Sequence, residues 1–220
     1  MKVIIPLQLA STRVKQKNIK PFFENKSLFD IKASQLLKVM PPDMVYVSSE
    51  SEDVRPLVES YGFNFLLRDK ALTGNLVKQP ALIGSILAQI PKDDHDIMWV
   101  QVTQPLFDRF DEMMTKWQDA KDSYDSIAAV KTVRKHLVTA DGLPVNFNFG
   151  YWHRVSQDLP ELYELLWSCY ILKRETIELT CYHLGTNPYF MPFDDVPLID
   201  IDTEDDFILA SRIYALYNNK

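Results

Sequence analysis

At 220 residues the chain is long enough for one large domain or two small ones, and for a substantial core. It is 46% apolar and 25% charged, as in an ordinary globular protein, and no apolar run approaches the roughly 18 residues of a membrane-spanning helix. The formal charge of -6 excludes a global basic field for nucleic acid but leaves room for a local cationic patch.

Strands and helices alternate along the chain. KVIIPLQ is a continuous apolar run, which predicts a first strand buried on both faces. SLFDIKASQLLKVM puts Leu28, Ile31, Leu36, Leu37 and Met40 on one helical stripe, stopped by Pro41-Pro42. MVYVSS reads as the second strand, and Ser51 caps a helix whose first turn carries Glu52 and Asp53. FNFLLR is a third strand, QPALIGSILAQI a helix closed by Pro91, and DIMWVQVT a central strand. FDEMMTKWQDA is an amphipathic helix, SIAAVKTV a strand, and Thr203 opens a last helix, EDDFILASRIYALY. This alternation predicts a single α/β domain over residues 1–220 with a mostly parallel sheet flanked by helices.

Residues 133–166 break the pattern with a DG turn, prolines and aromatics, and read as an excursion from the sheet. Its aromatics suit a partner surface, and a long loop packed on its own domain is the alternative. Cys169 and Cys181 lack metal-ligand spacing and read as reduced thiols. MKVIIPLQLAS lacks a signal peptide's full apolar region and cleavage site, so a cytoplasmic location is expected.

Two stretches point to chemistry. The first, LASTRVKQKNIKPF at residues 9–22, follows the first strand, where parallel sheets bind ligands. Ser11 and Thr12 can donate to a phosphate, and Arg13, Lys15, Lys17 and Lys20 supply charge. A loop of this kind suits a pyrophosphate or triphosphate, although the GxxxxGK[ST] spacing is absent. The alternative is a solvated charged loop. The second stretch is PLIDIDTEDDF at residues 197–207. In an extended strand Asp200 and Asp202 share a face, a hard-oxygen pair suited to Mg²⁺ bridging phosphates. Thr203 with Asp206 makes a near capping box, and helix capping is the alternative role of the acids.

In order and spacing, IIPLQLASTRVKQKNIKPF, VSSESEDV, FNFLLR, VQVTQPL, SQDLPELY and IDIDTEDDF resemble the CMP-sugar synthetases, most closely the acylneuraminate cytidylyltransferases, over nearly the whole chain. The resemblance implies a Rossmann-like nucleotidyltransferase fold whose β-rich excursion, at 133–166, forms a homodimer. It implies transfer of CMP from CTP to an acidic acceptor, sialic-acid-like or another 2-keto sugar acid, with pyrophosphate released and Mg²⁺ as cofactor. It assigns Lys17, Arg13 and Asp202 to catalysis, and Leu7, Gln8, Ser11, Asn18, Arg68 and Gln79 to the nucleotide. Gln101, Thr103 and Trp167 fall near the acceptor, and Asp200 and Asp202 on the metal. Arg154, in GYWHRVSQD, is a cation suited to the acceptor's acid group.

Several positions depart from the family. Gln8 stands where the family has a phosphate-binding arginine, and LWSCY replaces NGAIY, so Trp167 takes a glycine's place beside the acceptor. VQVTQPLFD loses a further arginine, and LTGNLVKQP keeps little of a serine-rich segment. These departures leave two other expectations open: a smaller acceptor such as a phosphonate, or a homologue that binds nucleotide without turnover.

Overall fold

The computed structural model describes every residue except Thr12, Asn75, Leu198, Asn219 and Lys220. Its strands are β1 (Lys2–Pro6), β2 (Val45–Ser49), β3 (Asn64–Leu67), β4 (Ile97–Val100), β5 (Ser126–Val133), β6 (Leu162–Leu172) and β7 (Pro188–Pro192). Its α-helices are α1 (Leu28–Leu36), α2 (Arg55–Ser60), α3 (Gln79–Leu87), α4 (Phe110–Ala120), α5 (Arg174–Thr180) and α6 (Glu204–Asn218). The strands form one sheet in the order β3-β2-β1-β4-β6-β5-β7. β1 to β4 are mutually parallel, β7 runs parallel to β5, and β6 alone runs antiparallel to both its neighbours.

β1 shows why a strand of a two-sided sheet is continuously apolar. Val3 and Ile5 enter one core with residues of α1, α2, α4 and α6. Ile4 enters the other with residues of α3 and α5. The strand order reverses between β1 and β4, so the crevice beyond their carboxyl ends is the sheet's natural ligand site.

Several expected boundaries move. α1 starts at a true capping box, Ser27 with Asp30, but ends at Leu36, well before Pro41-Pro42. The central strand stops at Val100, and Gln101, Val102 and Thr103 turn out over the cleft. Asp200 and Asp202 sit on a loop, not on the expected strand, with Ile201 fully buried between them. β7 and α5 have no counterpart in the sequence reading. β7 is an edge strand bounded by prolines, a pattern that argues against a strand when read alone. Between residues 133 and 162, the described backbone holds only short 3₁₀ turns and one isolated bridge, Val138–Pro144. The β structure expected there is the β5–β6 ladder itself, which continues out to Thr132–Tyr163 and Val133–Leu162.

Two buried ionisable side chains shape the core near the site. The fully buried Lys32 Nζ donates to the carbonyls of Gln104 (3.0 Å) and Phe107 (2.7 Å), and Gln35 Nε2 donates to Pro105 O (2.7 Å). Helix α1 thus pins the turn after β4. Burial lowers Lys32 to about 7, where a neutral amine's two N–H groups match two carbonyls. His183 is buried among Trp99, Trp167, Tyr170 and Tyr182, and neither ring nitrogen has a hydrogen-bond partner.

Burial lowers His183 to about 4, from 6.5. Between those values the unfolded chain binds a proton that the folded protein refuses, so stability falls as pH drops through that window. A His183→Phe variant removes this loss. Urea unfolding at pH 7 and pH 4.5 is expected to show the wild type losing about 2 kcal/mol more than the variant over that interval. Equal losses in both proteins would contradict it.

Candidate functional site

The site is built on three loops. The loop after β1 begins with Gln8, whose carbonyl accepts from Asn18 Nδ2 (2.8 Å), tying the loop's start to its end. It has no glycine; Gln16 takes the left-handed conformation (φ 49°), and its carbonyl receives the N–H groups of Ile19 and Lys20. Glu50, just past β2, anchors the same loop. Its Oε1 accepts from Leu9 N (2.7 Å) and Ala10 N (3.0 Å), and its Oε2 accepts from Arg68 Nη2 (2.7 Å). Arg68, just past β3, also donates to Ser48 O and Leu7 O, and its Nε is buried without a partner.

The loop's cations meet the acidic segment from the far end of the chain. Arg13 Nη2 lies 2.8 Å from Asp202 Oδ1. Lys17 Nζ donates to Ile201 O (2.5 Å) and stands 3.7 Å from Asp202 Oδ1. Lys20 binds both oxygens of Glu204 at 2.9 Å. The third loop joins the same point, since Ile201 N donates to Thr103 O (3.0 Å). Asp206 Oδ2 accepts from the N–H groups of Asp202 and Thr203, completing the capping box of α6.

A cavity of about 390 Å³ opens among these loops, within the range of small-molecule sites. Gln8, Ser11, Arg13, Lys17, Asn18, Arg68, Gln79, Gln101 and Thr103, all singled out in the sequence, line it together. Thr12 lies outside the described residues. Leu7 is not a lining side chain; it is fully buried in the core and contributes only its carbonyl to Arg68. Arg154 is exposed in the 133–166 segment and is not among the lining residues, because that segment leaves the sheet beyond β5. Trp167 is not a lining residue either. It stands on β6 where the register slips between Ala128 and Val130, with its ring against Tyr170 and His183. The tryptophan on the cavity wall is Trp99.

The electrostatics follow from burial. Desolvation lowers Lys17, against the opposing pull of Asp202 and Asp200. Desolvation raises Asp200, with a hydrogen bond from Thr103 opposing it. Asp200 Oδ1 is buried with no partner, and Asp200 and Asp202 stand beside Lys17 and Arg13 without being among the cavity's lining residues. Among the described residues no group of three or more His, Cys, Asp or Glu side chains could hold a metal. Two carboxylates with an orphaned oxygen still fit Mg²⁺, which takes one or two protein carboxylates and fills its shell with phosphate and water.

The sequence reading missed Glu50, Trp99 and Lys32. Glu50 stood in VSSESEDV with no signal to separate it from its acidic neighbours. Lys32 sat on an otherwise apolar stripe, the one available hint that it was buried.

A mostly parallel α/β sheet with a polar, cation-rich cleft at its switch point defines a protein of nucleotidyltransferase fold. The chain belongs to the cytidylyltransferase family, whose model matches residues 2–148. A search of curated proteins finds no match. Among solved structures, CMP:2-keto-3-deoxy-manno-octonic acid synthetase complexed with CTP is similar at TM-score 0.65 and 12% identity, covering 98% of both chains. The 4-diphosphocytidyl-2C-methyl-D-erythritol synthase from Anaerococcus prevotii is similar at TM-score 0.64 and 10% identity, covering 97% of this chain and 98% of that one. UDP-glucose pyrophosphorylase complexed with UDP-glucose is similar at TM-score 0.60 and 12% identity, covering 100% of this chain and 99% of that one.

The Arg68–Glu50 pair is buried, so removing one partner strands a charge. Glu50→Ala is expected to cost about 3–5 kcal/mol in urea unfolding, and Glu50→Met with Arg68→Met to recover most of it. A small loss in the single variant would contradict this account of the loop anchor.

Proposed function

We propose that this protein transfers CMP from CTP to a hydroxyl of an acidic acceptor, a sialic-acid-like or other 2-keto sugar acid, releasing pyrophosphate. The observation that carries the reading is the meeting of Lys17 and Asp202, 3.7 Å apart, at the cleft of a cytidylyltransferase-family fold. The CTP bound in the similar synthetase and the cytidyl product named for the similar erythritol synthase favour CTP.

The acceptor oxygen attacks the α-phosphorus in line. The new O–P bond forms as the α–β anhydride bond breaks, pyrophosphate leaves with the electron pair, and the acceptor's proton passes to water. Little covalent work falls to the protein; positioning and charge do most of it. Lys17, half-buried and directed at the acidic segment, sits where charge gathers on the α-phosphate. Arg13 and Ser11 hold the leaving pyrophosphate, while Asn18, Gln79 and the free Nε of Arg68 face the nucleotide. Gln101 and Thr103, on the turn pinned by Lys32, orient the acceptor. Asp200 and Asp202 would hold Mg²⁺, which supplies neutralisation of phosphate charge.

The family's acidic acceptor needs a cation. In this chain Arg154 is the one the sequence offers for it, reaching the cleft across a homodimer formed by residues 133–166. Phe149, Tyr151 and Trp152, all exposed on that segment, support a partner surface there. No helix among the described residues is long and apolar enough to cross a membrane; a cytoplasmic location is part of the proposal. A smaller acid, such as a phosphonate, is the second reading. It is favoured by Trp99, a large side chain on the wall of a cavity of about 390 Å³.

Pyrophosphate release with CTP, Mg²⁺ and a panel of 2-keto sugar acids and phosphonates tests the reading. Lys17→Ala and Asp202→Ala should each reduce it by about 10²-fold or more. Near-normal release by either variant would refute the assigned roles.

A further inference from the structure

Resting on the reading above, we propose that Arg13 and Asp202 act as stand-ins for each other's ligands. Arg13 occupies the cation position at Asp202, Asp202 occupies the phosphate position at Arg13, and the pair exchanges partners when metal-bound nucleotide enters. Three of the loop's cations are already paired with the acidic segment. Arg13 is spent on Asp202 at 2.8 Å, Lys17 on Ile201 O and Asp202, and Lys20 on Glu204.

These contacts differ in how readily they break. The Arg13 and Asp202 side chains are 58% and 47% exposed, so water and salt screen their attraction. Lys17 is 12% exposed and keeps a carbonyl partner whatever Asp202 does. Arg68 and Glu50 are 2% and 8% exposed and share their hydrogen bonds with the backbone. Of the two Arg–carboxylate pairs at this cleft, the exposed one is therefore the one that opens.

A thermodynamic coupling follows. A triphosphate arriving without metal must pull Arg13 away and leave Asp202 beside it with the longer, 3.7 Å contact to Lys17 in place of a direct ion pair. Nucleotide arriving with metal leaves neither group unpaired. Removing the Asp202 charge thus frees Arg13 for phosphate and tightens metal-free binding, and that gain depends on Arg13 being present.

The test is calorimetric titration of CTP into the full chain, in EDTA and in Mg²⁺. It uses wild type, Asp202→Asn, Arg13→Ala and the double variant, with thermal unfolding to show that each is folded. In EDTA, Asp202→Asn is expected to bind CTP about two- to fivefold more tightly than wild type, the range one exposed ion pair allows. In the Arg13→Ala background the same substitution should give less than half that gain. An equal gain in both backgrounds would mean simple repulsion by Asp202 and would overturn the exchange, as would no gain at all. A wild type that binds no CTP, with or without Mg²⁺, would overturn the CTP reading and the exchange together, an outcome distinct from the other two.

Discussion

Everything at the cleft depends on a clasp between two segments almost the whole chain apart. Arg13, Lys17 and Lys20 reach from the loop after β1 to Asp202, Ile201 and Glu204 before α6. The amide of Ile201 reaches on to Thr103, bringing in the turn after β4. Three loops are thereby fixed against one another by a few polar contacts, and the cavity is the space they enclose. A change that loosens the acidic segment frees the side chains of the cationic loop, because Arg13, Lys17 and Lys20 all pair with it.

The clasp is soft, whereas the frame beneath it is rigid. Glu50 holds two amides of the first loop, and Arg68 holds Glu50, all out of solvent. Lys32 and Gln35 hold three carbonyls of the turn after β4 from inside the core. Burial makes such contacts costly to break, so they preserve geometry without responding to ligand. The exposed contacts cost little to break and can respond. Backbone placement and side-chain exchange are thus separated between the inside and the outside of the same loops.

That separation also explains what the sequence made legible. The strand–helix alternation, the apolar first strand and the two charged stretches were plain, because each is a local pattern with a period or a charge. That Arg13 would lie against Asp202 could only be inferred from complementary chemistry and from the resemblance. Glu50 was invisible as a site-builder and Lys32 nearly so, since a buried ionisable side chain looks like an exposed one until its carbonyl and amide partners are known. β7 was hidden by its prolines, and the acidic pair was misread as a strand because Ile199 and Ile201 alternate with it as strand residues would.

The half of the cleft proposed for the acceptor follows a different physics. A triphosphate imposes a fixed pattern of charge, so the residues that meet it are cations and carboxylates that stand out in a sequence. The end of the cleft proposed for the acceptor is bounded in this chain by Trp99, Gln101, Thr103 and Val102, with no ionisable side chain among those four. Behind Trp99 stand His183 and Tyr170, buried groups whose polar atoms have no protein partner. The register slip in the β5–β6 ladder sets residues 166–169 off the regular pleat, and with them the direction in which Trp167 points. Under the proposed reading, selectivity at that end rests within one chain on the shape of a wall made of neutral and aromatic residues. The same residue types build ordinary cores, and for that reason the acceptor is the part of the chemistry that charge patterns in the sequence do not specify.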